Sequence, residues 1–64
     1  MMLSERLERI RLESAHGENR EAFDAFKKFV DDSPEMQDEP LAALRNHWFI
    51  FKTGYLMAKE VWHG

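Results

Sequence analysis

The chain has 64 residues, nine basic and twelve acidic side chains, a formal charge of −3 and no cysteine. A domain of this size buries only about 60% of the surface its unfolded chain exposes and usually needs a staple: a disulfide, a metal or a second subunit. The composition excludes the disulfide and the thiolate zinc site, and His16, His47 and His63 form no i,i+3 or i,i+4 pair, so a homodimer is the expected staple.

In chain order, Ser4 is placed to cap a first helix, with Glu5 in its first turn. Leu3, Leu7 and Ile10 make a narrow apolar seam on it. Ala15-His16-Gly17-Glu18-Asn19 then admits two readings. Gly17 can end the helix in the left-handed conformation, with Asn19 capping a new one. It can also sit inside a continuous helix at a cost of about 1 kcal/mol. Ala22, Phe23, Phe26, Phe29 and Val30 follow the spacing of a buried helical face. In a straight helix that face lies roughly 130° around from the first seam, and Leu12 and Ala15 bridge the change. The favoured expectation is one helix over about 4–31, long or kinked near Gly17.

Residues 31–39 form an acidic connector. Asp31, Asp32, Glu35, Asp38 and Glu39 stand there with no base, while residues 1–30 balance and residues 40–64 hold Arg45, Lys52 and Lys59 against Glu60. Ser33-Pro34 reads as a cap followed by proline at a first helical position, so a single turn is expected. Asp38 or Glu39, followed by Pro40, starts the next helix in the same way. The connector is either a solvated, mobile loop or an element that docks on a basic partner or mimics nucleic-acid charge.

The last helix is expected over about 40–62, and it carries two interleaved apolar stripes. Leu41, Leu44, Trp48, Phe51, Tyr55, Ala58 and Trp62 form the first; Ala43, His47, Ile50, Gly54, Met57 and Val61 form the second. A helix apolar nearly all round needs cover on several sides. The expected architecture is all-α: an antiparallel helical hairpin of one small domain, dimerising into a helical bundle. Partner residue numbers in such a hairpin sum to about 70, setting Phe29 by Leu41, Phe26 by Leu44, Phe23 by Trp48, Ala15 by Tyr55 and Leu12 by Ala58. Only the first stripe is used in this way. The second is assigned to a dimer interface of Ile50, Gly54, Met57, Val61 and His47. Gly54 and Ala58, a small pair four apart, either fill space opposite an aromatic or allow a close crossing at a two-fold axis. His47 reads as a hydrogen-bonded core or interface residue, or as a pH-sensitive interface group.

For catalysis nothing is found: no thiol, no Ser–His pair, no glycine-rich phosphate loop and no paired carboxylates in an apolar stretch. The expectation is a protein that is not an enzyme and binds no cofactor or metal. The connector lacks the alternating ligands and central glycine of a calcium loop. Arg45, Lys52 and Lys59 repeat every seven residues, but three point charges without aromatic stacking make a weak nucleic-acid surface. Segment 41–62 has the length of a membrane span, yet Arg45, Asn46, His47, Lys52, Lys59 and Glu60 interrupt it. No signal peptide is read at the charged start Met-Met-Leu-Ser-Glu-Arg, so the expected location is cytoplasmic.

Phe49, Leu56 and Trp62 are the most exposed apolar residues expected; Trp62 packs on Leu7 or anchors a partner. With the five connector acids, Phe49 and Trp62 are the partner-binding candidates. The series Pro40, Leu44, Phe51, Gly54-Tyr55 and Ala58 resembles, over about twenty residues, the proline, leucine, tryptophan, glycine-tryptophan, alanine series of the small ribosome modulation factors. Those proteins are strongly basic and this chain is acidic, so ribosome binding does not carry over. The expected function is a dimeric protein-binding module that inhibits or regulates another protein, of the kind found in phage and mobile elements. The alternative is a nucleic-acid- or ribosome-associated regulator, which requires the basic residues of both copies to merge into one face.

Overall fold

The computed structural model describes residues 2–63, the side chains of Trp62 and His63 excepted. It is all-helical among the described residues: α1 (Leu3–Ser14), α2 (Asn19–Asp31), α3 (Pro34–Gln37) and α4 (Leu41–His63). α1 begins one residue before Ser4, with Met2 at the cap position and no side-chain cap. The Met2 carbonyl accepts the Glu5 and Arg6 N–H groups instead.

The single helix expected over 4–31 is corrected to two. Gly17 stands at φ +57°, a left-handed conformation that costs a residue with a Cβ roughly 1–2 kcal/mol and glycine nothing. Around it, side chains bond to carbonyls of the last turns of α1, those of Leu12 and Ser14 being ones the helix end leaves unpaired. Ser14 Oγ donates to the Ile10 carbonyl, His16 Nε2 meets the Leu12 carbonyl at 3.0 Å, and Asn19 Nδ2 donates to the Ser14 carbonyl at 3.2 Å. Asn19 thus closes the end of α1 rather than capping α2, whose cap position is Glu18. The break resolves the mismatch between the two apolar faces. Each helix now turns its own face to one core: Leu7, Ile10 and Ala15 from α1 and its end, Ala22, Phe23, Phe26 and Val30 from α2.

α1 runs beside the first half of α4 in the same direction. Arg6 reaches the Gln37 and Glu39 carbonyls, Glu13 pairs with Arg45, and Ser14 Oγ accepts from Trp48 Nε1 at 2.8 Å. This corrects the expected pairing of Leu12 with Ala58: Leu12 is 59% exposed, and the end of α1 meets α4 near Trp48. α2 packs its aromatic face on α4. Phe23 meets Trp48 edge-on at 5.0 Å, Phe26 lies 5.5 Å from Trp48 and 5.4 Å from Phe51, and Phe29 stacks on Phe51 at 5.7 Å. The Phe23–Trp48 pair falls where the register places it. The rest of the expected register is corrected: Phe29 stacks on Phe51, ten positions past Leu41, Phe26 meets Trp48 and Phe51 rather than Leu44 alone, and Glu21 pairs with Lys59, so α2 lies farther along α4 than a sum of 70 places it.

Trp48 is the hub of this core. It is buried with Phe23, Phe26, Ile10, Leu44 and Val30, and its one polar atom is satisfied by Ser14. α3 is the single proline-started turn expected, with Pro34 at its first position. Its Met36 is buried, and Gln37 Nε2 donates back to the Val30 and Asp31 carbonyls. The connector is therefore pinned from both sides, not a free loop.

Candidate interaction surface

The first stripe of α4 is covered by its own chain as far as Tyr55. Leu44 and Trp48 are buried, and Leu41, Phe51 and Tyr55 pack partly against the core. Ala58 lies in the open, past the reach of α1. Trp62, assigned to Leu7 or to a partner, has a side chain outside the described residues.

The second stripe is left uncovered. Ile50 is 63% exposed, Met57 61% and Val61 79%, and Gly54 is exposed between them. Ala43 and His47, nearer the start of the helix, are half-buried. Beyond its chain neighbours and the adjacent turns of its own helix backbone, nothing described lies within 4 Å of where a Cβ on Gly54 would stand. Gly54 is therefore not a space filler opposite one of its own aromatics. His47 Nε2 meets Glu39 Oε2 at 3.0 Å, so the histidine ties the start of the stripe to the connector.

Phe49 is 62% exposed on the flank of the stripe, with the Lys52 ammonium 5.1 Å from its ring centre. That ammonium also stands 5.9 Å from the Trp48 ring. The other two bases of the heptad series are paired within the chain. Arg45 donates two hydrogen bonds to the Glu13 carboxylate, at 3.0 and 3.1 Å, and Lys59 pairs with Glu21. The Glu21 hydrogen bond and charge hold the Lys59 ammonium pKa above its usual value. Each base of the strip thus faces an acid or an aromatic ring of its own chain.

The acids sit elsewhere. Asp31, Asp32, Glu35 and Asp38 are exposed around α3, while Glu39 is partly covered and engaged by His47. Leu41 and Met57 are separated by about 24 Å of helix at a rise of ~1.5 Å per residue. The connector acids and the strongly exposed length of the stripe, Ile50 to Val61, are therefore set apart along α4, with His47 and its Glu39 contact between them. The feature that sequence reasoning missed is Arg6. Its guanidinium donates to the Gln37 and Glu39 carbonyls, with Nε buried and unpartnered. Only the fold brings it to residues more than thirty positions away, so no local pattern announces it.

Two grooves flank these surfaces. One, of about 300 Å³ between α1 and α2, has Leu7 and Phe23 at its floor and Glu8, Lys27 and Asp31 around it. The other, of about 750 Å³ and open to solvent, runs between Glu18 and the Lys52, Leu56 and Lys59 flank of α4. Among the described residues no group of three or more His, Asp or Glu side chains is placed to hold a metal, and no helix is long and apolar enough to cross a membrane. Comparison with known proteins finds no family model, no curated protein and no solved structure that matches this chain.

Proposed function

We propose that the protein is a dimeric helical binding module that acts by docking on another protein, as an inhibitor or regulator of the phage or mobile-element kind, in the cytoplasm. The observation that carries this reading is the uncovered second stripe of α4, with the expected interface residues His47, Ile50, Gly54, Met57 and Val61 lying along one side of the helix. Fully burying an aliphatic side chain is worth about 1.5–3 kcal/mol. Covering the exposed parts of Ile50, Met57 and Val61 on two copies is then worth on the order of 8 kcal/mol. That is comparable to the 4–15 kcal/mol lost in rigid-body freedom on association, so the dimer forms and dissociates with concentration. The hairpin of the single chain becomes half of a larger bundle.

The exposed acids around α3 remain free for a second partner of basic character, whose encounter they speed. The nucleic-acid alternative is weakened by the pairing of Arg45 with Glu13, Lys59 with Glu21 and Lys52 with aromatic rings. Bases already engaged within the chain release few counterions on a phosphate backbone. The test is capture of a partner from host lysate with and without nuclease, followed by binding kinetics. The reading expects a basic protein retained after nuclease treatment. Tight, salt-sensitive binding to RNA or DNA transfers the assignment to the alternative.

A further inference from the structure

We infer that two copies pair their α4 helices antiparallel and cross at Gly54; this rests on the self-association reading above and adds to it an orientation, a register and a crossing point. Gly54 stands exposed between Ile50 and Met57 on the second stripe. A glycine in an exposed helix interior is disfavoured relative to alanine, and nothing within the chain requires one here. Its φ is not positive, and no neighbour would meet a Cβ. What glycine uniquely provides at such a place is close approach by another backbone.

The side chains on either side are arranged about that point. Ile50 lies four positions before Gly54 and Met57 three after; His47 and Val61 lie seven away on each side. In an antiparallel pair centred on Gly54, Ile50 therefore faces Met57 of the second copy, and Val61 faces its His47. Each strongly exposed apolar residue of the stripe meets a side chain across the axis, and the two glycines meet at the centre. The spacing of 4, 3, 4 is that of a coiled-coil seam, which selects a helix as the occupant. The strip beside it, Asn46, Thr53 and Glu60, then faces its own mirror. Thr53 meets Thr53, Asn46 meets Glu60, and no like charges are opposed.

Charge selects the orientation. Asp31, Asp32, Glu35 and Asp38 are exposed at the N-terminal end of α4. A parallel pair gathers both sets at one end. The antiparallel pair sends them to opposite ends. Leu41 to Gly54 spans about 20 Å of helix, so the two α4 starts stand about 40 Å apart along the axis. That is several times the ~8 Å screening length at physiological salt.

The chain has no cysteine, so a single nitroxide on Ala42→Cys reports the orientation with every acid in place. Ala42 is exposed, near the start of α4 and outside the seam. The expected spin–spin distance is about 36 Å or more; a distance under about 25 Å overturns the antiparallel pairing while leaving self-association standing. Gly54→Leu adds a side chain where the single chain has room, so its helical content is expected to stay while its dimer weakens at least tenfold. A Gly54→Leu dimer as tight as the wild type overturns the crossing point. A wild-type mass that stays monomeric over all concentrations overturns the pairing together with the reading beneath it, and gives the stripe to a different partner.

Discussion

Gly17 and Arg6 carry the least replaceable local contacts. Gly17→Ala forces a Cβ into the left-handed region and is expected to lower unfolding free energy by about 1–2 kcal/mol. Denaturant unfolding followed through the buried Trp48 measures this. Arg6 holds the connector through two carbonyls, and a charged donor of this kind is worth about 1.5–3 kcal/mol. Arg6→Ala is expected to lose that much and to raise hydrogen exchange at the Met36 and Glu39 amides, which close the α3 turn. The exposed ion pairs act more weakly, and in opposite directions with pH. The Arg11 hydrogen bond holds Glu8 below the usual carboxylate range. Its contribution is full above that range and is lost as pH falls through the depressed value. Lys59 is held above the usual lysine range by Glu21. Its contribution is full below that range and is lost as pH rises through the raised value. Both groups are solvent-facing and screened, so thermal scans across pH are expected to show shallow slopes at each end.

α4 is the element whose two faces behave differently. Trp48→Ala, at the hub of the core, is expected to cost about 3–5 kcal/mol through a cavity among Phe23, Phe26 and Leu44. Ile50→Ala or Met57→Ala is expected to leave unfolding of the single chain within about 0.5 kcal/mol, because those side chains touch little of it. Parallel unfolding and mass measurements on the same variants separate the two effects. The division was legible in the sequence, because two stripes at heptad spacing stand about 100° apart on one helix and a short chain can cover only one. The break at Gly17 was legible only as one of two readings. A continuous helix and a left-handed turn differ there by about 1 kcal/mol of local preference. The decision comes from contacts distant in sequence, such as Ser14 with Trp48. The same holds for Arg6, whose carbonyl partners lie on a segment that local periodicity cannot bring near.

At the scale of the whole molecule, an aromatic core holds three longer helices and one pinned turn, and the exposed acids lie at the start of α4 while the strongly exposed stripe residues, Ile50 to Val61, lie farther along it. Encounter and retention therefore fall to different residues. Neutralising Asp31, Asp32, Glu35, Asp38 and Glu39 together is expected to slow association with a basic partner by about tenfold or more. It should leave helical content intact. Phe49→Ala is expected instead to speed dissociation, as surface-binding kinetics would show. We read the second stripe of α4 as a self-association surface, and the mass of the wild-type protein in solution tests this most directly. Sedimentation equilibrium across a wide concentration range is predicted to give a mass rising to twice the 7.6 kDa of the chain, and Gly54→Leu is predicted to shift that rise to higher concentration. A mass that remains at 7.6 kDa throughout would contradict it.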